Sequence, residues 1–358
     1  MNSSPTIKLM PASDPFSVLL TPAPDLSQGR AQALLGEHYG IDCKLQSLVS
    51  ERDQNFLATA TDGREYVLKV SNSAEPFEVT DFQTNALMHI ARAAESMPVP
   101  RVVRTLASGT STTVALDDQR HCTVRVLTWL QGVPLKNLEK VAVDAQAMGS
   151  LLASLGIALQ DFEAPVSAPA LLWDLKHAAD LAPLVASVTD QSLGNLCGSY
   201  LEYFVARVRP DLLQLRSQTI YNDLNPSNIL VAPQAPHAIC GIIDFGDLAF
   251  SPLIVDVAVA CAYLCRASSQ PLAEVFEFVR GYHRVQKLQA AEVSMLFDLI
   301  VLRHVMTVLI THWRATKFPE NREYILRNEP RAQQAIEQLT ALDRDAIEQR
   351  FQSLCKSN

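Results

Sequence analysis

The apolar residues of this 358-residue chain change period part-way along it, and no other feature limits the fold as strongly. Up to about residue 130 they alternate: KLQSLVS (44–50), FLATAT (56–61), REYVLKVS (64–71), TTVALD (112–117) and HCTVRVLTWL (121–130) each read as a strand with one apolar face. Asp62-Gly63 between the second and third runs marks a hairpin. Phe82, Ala86, Leu87, Ile90 and Ala91 interrupt with helical spacing, and Asp25 with Ser27 can cap a helix from about Arg30 to Tyr39. After Gly132-Val133-Pro134, helical spacing dominates over 143–159, 171–188, 192–215, 254–264, 273–286, 290–316 and 330–354, leaving strand-like runs only at 228–232 and 240–244. The predicted fold class is α+β in two lobes: an extended arm over 1–24, an antiparallel sheet with one helix and a hinge over 25–130, and a mainly helical lobe over 131–358.

Hydrophobic residues are 48% of the chain and no polar low-complexity tract breaks it, so both lobes can have cores. The formal net charge of -8, with no Lys/Arg cluster, argues against a nucleic-acid partner and favours a small or cationic ligand. Seven scattered cysteines without a C-x-x-C pair suggest reduced thiols and neither a disulfide framework nor a zinc site. Met1 to Phe16 does not read as a signal peptide, and the apolar run 293–308 is broken by Asp298, Arg303 and His304, so a buried helix and a cytoplasmic, non-membrane protein are expected.

Two short stretches carry chemistry. TIYNDLNPSNILV (219–231) contains Asp223 and Asn228 in the spacing D-x-x-x-x-N, and GIIDFGDL (241–248) contains Asp244-Phe245-Gly246. In phosphoryl transfer such a loop supplies a carboxylate that takes the proton of the attacking hydroxyl and an amide that holds a metal, and the second aspartate supplies another metal ligand. Mg²⁺ is the hard cation that oxygen ligands of this kind suit. Each motif alone is an ordinary turn; their order, with a strand between, is specific. The sheet lobe should then carry a lysine on a strand, and Lys69 in Tyr66-Val67-Leu68-Lys69 stands where one would reach phosphates.

With these residues in view, the chain resembles the aminoglycoside phosphotransferase/choline kinase branch of the protein-kinase-like fold, and within it the hydroxylysine kinase group, over roughly residues 40–330. The resemblance implies a bilobal kinase-like fold and transfer of the γ-phosphoryl of ATP or GTP to a hydroxyl of an amine-bearing small molecule. It implies Asp223 as base, Asn228 and Asp244 as Mg²⁺ ligands, Lys69 on the phosphates, residues 50–56 as the covering loop with Ser50 among its donors, and Leu127 to Leu130 as the hinge, where Trp129 can shape the purine slot. Three features depart from the family pattern. The covering loop has no glycine, Gln83 stands where the lysine's Glu partner is often found, with Glu78 or Asp81 as substitutes, and Tyr221-Asn222 replaces the His-Gly that often precedes the aspartate.

Further residues carry two readings each. Asp256 resembles a structural aspartate that braces the catalytic loop. Asp174 is either a substrate-ammonium ligand or a helix N-cap. Arg303 needs a partner on its apolar helix, which is a substrate carboxylate or a neighbouring acid. Tyr324 is a pocket candidate or a packing residue, and His304 and His312 are core or surface residues and not metal ligands. Two rival functions share the motifs: an antibiotic-modifying aminoglycoside phosphotransferase and a non-catalytic nucleotide-binding protein.

Overall fold

The computed structural model describes residues 16–50, 52–116, 120–138, 144–163 and 171–356. Of the expected arm, 1–15 lie outside the described residues; the remainder forms one helical turn, α1 (Ser17–Leu20), whose Leu19 is buried in the larger core. Phe16 sets its ring edge-on to Trp313 at 4.9 Å. This part of the arm is therefore docked.

Helix α2 (Gln28–Tyr39) begins where Ser27 accepts the Arg30 N–H and ends at Gly40, whose φ of +66° is the left-handed conformation that glycine adopts without cost. Its Ala31, Leu34 and Leu35 pack on the sheet lobe's core. The sheet runs β1 (Cys43–Leu48), β2 (Gln54–Ala60) and β3 (Glu65–Val70), then, after helix α3 (Phe77–Ala93), β4 (Val102–Val103), β5 (Thr112–Ala115) and β6 (His121–Thr128). All pairings are antiparallel in the order β1-β2-β3-β6-β4, with β5 sharing the outer edge of β6. The expected Asp62-Gly63 turn joins β2 to β3, with Gly63 at φ +84°. The apolar face of α3, with Phe82, Ala86, Leu87 and Ile90, joins the larger core of the helical lobe instead of the smaller core of the sheet. A helix within the sheet lobe's span of sequence thus ties the lobes together.

Beyond the hinge come β7 (Val133–Pro134), α4 (Ala145–Leu159), a run of 3-10 turns over Leu175–Ser187, α5 (Gln191–Tyr203), α6 (Arg209–Leu212), β8 (Ser217–Ile220), β9 (Ile229–Ala232), β10 (Ala235–Ile242) and β11 (Ala249–Pro252). Then follow α7 (Leu253–Leu264), α8 (Ala273–Val285), α9 (Ala290–Lys317), α10 (Arg322–Ile325), α11 (Glu329–Thr340) and α12 (Arg344–Lys356). Three expectations need correction. The 171–188 helix is 3-10 and contains Pro183, which cannot donate within an α-helix. The 192–215 helix passes through a π-turn at Phe204–Val208, just before Pro210 would clash with the carbonyl four residues back. The helical lobe also holds β8 and β11, a two-stranded pair of which β8 leads into the loop 221–228.

Helix α9 is long and apolar enough to cross a membrane by composition, but it is the buried axis of the helical lobe, with Leu299, Ile300, Val301, Leu302 and Val305 fully enclosed. Helices α4 and α8 cross at two glycines: a Cβ on Gly149 would lie 2.1 Å from the Phe278 carbonyl oxygen, and one on Gly281 2.0 Å from that of Gln146. Backbone on both sides leaves nothing to yield. Gly281→Ala should therefore lower the unfolding free energy by about 2–3 kcal/mol, the scale of overpacking a rigid contact, read in urea as a lower midpoint at unchanged slope.

Candidate active site

Strand β8 delivers the chain to the loop 221–228, and β9 carries it away. Tyr221 is fully buried; its hydroxyl donates to the Ile243 carbonyl at 2.5 Å and its ring meets that of Phe245 edge-on at 5.1 Å, so it fastens the catalytic loop to the Asp-Phe-Gly segment. Asn222 follows at φ +64°, a left-handed position suited to the family's usual glycine, where Asn is among the best tolerated alternatives. The carboxylate of buried Asp256 on α7 accepts the Asn222 N–H at 2.8 Å and the Tyr221 N–H at 3.3 Å. Burial pushes the Asp256 carboxyl up to about 7, against the pull of those two bonds. Asp256 sits behind the loop and holds its shape.

Asn228 is turned by the same loop so that its Nδ2 donates to Asp223 Oδ2 at 2.7 Å and to the Asp223 carbonyl at 3.1 Å. That orientation leaves its amide oxygen directed away from the aspartate. Asp244 takes φ +60°, a second strained non-glycine position within the site. Its Oδ1 accepts the Gly246 N–H at 3.2 Å and lies 3.4 Å from Lys69 Nζ. Alternation along β3 turns Tyr66, Leu68 and Val70 into the sheet's core and Lys69 to the other face, toward the helical lobe. The Lys69 ammonium holds the Asp244 carboxyl below its ordinary value, opposed by burial and assisted by Arg52.

Lys69 makes its second ion pair with Asp53, at 3.8 Å, and not with a residue of α3. Gln83 instead donates its amide to the Gly246 carbonyl at 2.9 Å, so the expected Lys69–Gln83 bond is replaced by one that links α3 to the Asp-Phe-Gly segment. Glu78 is exposed and Asp81 accepts from Asn85, so neither stands in. The covering loop reaches across as well: Arg52 bridges to Asp247 at 2.9 Å, over Gly246, where a Cβ would come within 3.2 Å of the guanidinium. Arg52 and Asp53 lie within the loop 50–56 expected from the sequence but were given no role of their own there, and Asp247, which follows the Asp-Phe-Gly segment, was not named. An acid or base beside a catalytic motif carries no distinguishing pattern until pairing across the cleft reveals it.

Asp223 is the most perturbed acid of the cleft. Burial, with the charge of Asp247, pushes its carboxyl up to about 8, while Arg303 pulls it down. Arg303, buried on α9, lies with Nη2 4.0 Å from Asp223 Oδ1, donates to the Trp173 carbonyl and the Tyr263 hydroxyl at 3.3 Å each, and stacks over the Trp173 ring at 4.6 Å. The acid that its burial demanded is thus Asp223 itself.

The remaining sequence candidates divide. Leu127 pairs with Val67 of β3, and Trp129 gives its N–H to the Glu65 carbonyl at 3.1 Å, which places both at the seam where the sheet meets the helical lobe. Ser50 is part-buried in the loop after β1, and Glu51 beside it lies outside the described residues. Asp174 corrects toward its structural reading: it caps the 3-10 run through the Lys176 N–H, accepts the Ser251 hydroxyl at 2.7 Å and pairs with the Lys176 ammonium at 3.2 Å, with about 1% of its surface exposed. Its buried carboxylate is already engaged by Lys176 and Ser251 on both oxygens. Tyr324 likewise lies at the surface, its ring under Arg327 at 3.8 Å, outside the pocket around Arg303. His304 is buried, and His312 lies 3.6 Å from Glu329.

Asp244 and Asn228 suit one hard cation: a half-exposed carboxylate and an amide oxygen, on loops held from both sides. Among the described residues no three His, Cys, Asp or Glu side chains converge as a metal-binding group. Mg²⁺ asks for less than that from a protein, because phosphate and water oxygens complete its shell.

Residues 44–293 match the phosphotransferase enzyme family. The chain belongs to that family. It is an enzyme that transfers a phosphoryl group to a hydroxyl of a small molecule. Hydroxylysine kinase of Mus musculus is 27% identical over 93% of this phosphotransferase and 94% of that protein. Among solved structures, a microcompartment-associated aminopropanol kinase superposes with a TM-score of 0.68 at 21% identity, covering 93% of this chain and 99% of that one. An amicoumacin kinase in complex with AMP-PNP, Ca²⁺ and Ami superposes at 0.67 with 13% identity, covering 90% and 97%. These likenesses establish the kinase-like fold in its two lobes.

Asp223→Asn should lower kcat of this phosphotransferase by at least ~10², the usual scale for losing a general base, with nucleotide affinity near wild type. The same variant carries a stability signature. The folded Asp223 carboxyl at about 8 lies above the ~3.9 of an unfolded one, so its contribution is present at low pH and is lost as pH rises toward 8. Asn does not titrate, so denaturation of the variant should lose less stability than wild type between pH 5 and pH 8.

Proposed function

We propose that the protein transfers the γ-phosphoryl of ATP or GTP, with Mg²⁺, to a hydroxyl of an amine-bearing small molecule, with hydroxylysine-like amino acids ahead of simple amino alcohols. The observation that carries this reading is Asp223, held by Asn228 at 2.7 Å and faced by Arg303 at 4.0 Å within one cleft. A hydroxyl brought to Asp223 gives its proton to the carboxylate as the oxygen bonds to phosphorus and the nucleoside diphosphate departs. Lys69 would turn from Asp244 to the nucleotide's phosphates, and Arg52 lies on the loop that covers them. Asn228 and Asp244 would hold Mg²⁺, which when bound offsets the negative charge of the phosphates.

Charge argues for the acceptor class. Asp223, Asp244 and Asp247 crowd the floor of the cleft, so an ammonium is welcome there, and Asp223 ionises more readily beside one. Hydroxylysine kinases and an aminopropanol kinase among the similar proteins carry amine-bearing alcohols in their names. The order expected is hydroxylysine-like amino acids first, amino alcohols such as choline second and neutral sugars last. Coupled-assay kcat/KM values across that series test it, since discrimination resides in transition-state binding. Best turnover of neutral sugars, or aminoglycosides outrunning hydroxylysine, would contradict the assignment and leave only the broader phosphotransferase activity.

A further inference from the structure

The loop 50–56 contains no glycine, which limits how closely its backbone can approach phosphates. A guanidinium stands there instead. Asn72, two residues past β3 and 1% exposed, donates its N–H to Asp53 Oδ1 at 3.1 Å and its amide to the carbonyls of Arg52 at 3.2 Å and Thr21 at 3.0 Å. Residues 52 and 53 are thereby tied to the sheet and to the chain after α1, whereas the Arg52 side chain keeps 25% of its surface exposed. The backbone of the loop is set, and the guanidinium on its long stem is the part that can turn.

Arg52 Nη2 meets Asp247 Oδ1 at 2.9 Å. Its place relative to Asp244 follows from Gly246: the point that a Cβ on this glycine would occupy is 3.2 Å from Arg52 Nη2 and 3.1 Å from Asp244 Oδ1. The guanidinium and the carboxylate suited to Mg²⁺ thus flank one small gap, kept open because Gly246 has no side chain. Lys69 Nζ reaches the same oxygen, Asp244 Oδ1, at 3.4 Å. Two cations of the sheet lobe therefore converge where metal-bound phosphate would sit, and each rests on an acid. The charge of Asp247 holds the Arg52 proton most firmly, against burial, and Glu75, Asp53 and Asp244 add to it.

We propose that Arg52 is a phosphate-binding residue of this phosphotransferase, held on Asp247 and transferred from it to the terminal phosphates when a nucleoside triphosphate enters. The proposal rests on the nucleotide reading above and adds a second cation to Lys69. Arginine's planar fork matches phosphate oxygens in pairs, and phosphates carrying several charges compete well against one carboxylate. The exchange makes and breaks no covalent bond. Asp247 keeps the cation in the cleft and competes with the ligand for it. The two partners of one ion pair therefore act on nucleotide affinity with opposite sign.

The test is titration calorimetry on the full chain with AMP-PNP and with GMP-PNP, each with Mg²⁺; both probes resist transfer of their γ-phosphoryl. Arg52→Gln should weaken binding at least ~10-fold, the lower end of what hydrogen bonds to a charged group contribute. Arg52→Lys should recover part of that loss. Asp247→Asn should tighten binding severalfold, and the gain should vanish when Arg52→Gln is added, because it comes from the pair and not from either residue alone. A bridge that merely joined the lobes would make loss of either partner change affinity in the same direction. Weaker binding by Asp247→Asn, a gain of equal size with and without Arg52, or unchanged affinity in Arg52→Gln would overturn the proposal. Mg²⁺-dependent binding that ignores Arg52 refutes the proposal alone and leaves the nucleotide site standing. Failure of the wild type to bind either probe refutes the nucleotide reading and the proposal with it.

Discussion

The site depends on one ion pair across the cleft, Lys69 Nζ to Asp244 Oδ1 at 3.4 Å. Lys69 is almost fully enclosed and would carry an uncompensated charge without an acid nearby, a cost that Asp244 and Asp53 together offset. Arg52 to Asp247 and Gln83 to the Gly246 carbonyl repeat the pattern. Three side chains of the sheet lobe thus converge on three neighbouring residues, Asp244, Gly246 and Asp247, of the helical lobe. The arrangement is held ready, because each cation rests on an acid whose charge a nucleotide and its metal would otherwise need to meet.

The second constraint is backbone strain and how it is maintained. Asn222 and Asp244 both sit at positive φ without being glycine, in the two loops that carry Asp223 and Asp244 into the cleft. Asp256 from behind and Tyr221 from within hold them, through bonds to the Asn222 N–H and the Ile243 carbonyl. The larger core supplies the rigid backing: α9 runs through it, α4 and α8 meet at glycines, and α3 joins it from the sheet lobe. A cleft whose floor is this firmly fixed can keep Asp223 poorly solvated, and poor solvation is what raises its pKa.

Much of this was legible in the chain. Alternation gave β1, β2, β3 and β6 within a residue or two, because each buries one face and exposes the other. Short β4 and β7 and the β8–β11 pair were missed, since two to four residues carry too little period to read. Pro183 and Pro210 hold local structure away from the α-helix that their apolar neighbours suggested. At the site, D-x-x-x-x-N and Asp-Phe-Gly locate Asp223, Asn228 and Asp244 because loop chemistry is local. The partner of Lys69 is not local, and no spacing in the sequence distinguishes Asp53 from Glu78, Asp81 or Gln83. Asp174 had two readings, and the Ser251 hydroxyl that satisfies it lies 77 residues away.

The central claim is that Asp244, with Lys69 poised beside it, is a metal and nucleotide site. The most direct measurement is the melting temperature with ATP or GTP, with and without Mg²⁺, in wild type and in Asp244→Ala, because a ligand that binds only the native state raises its apparent stability. The account predicts a Mg²⁺-dependent rise with at least one nucleotide in wild type and its loss in the variant, where Asn228 alone would remain to anchor the cation. No Mg²⁺-dependent rise in wild type with either nucleotide, or an equal rise in Asp244→Ala, would contradict it.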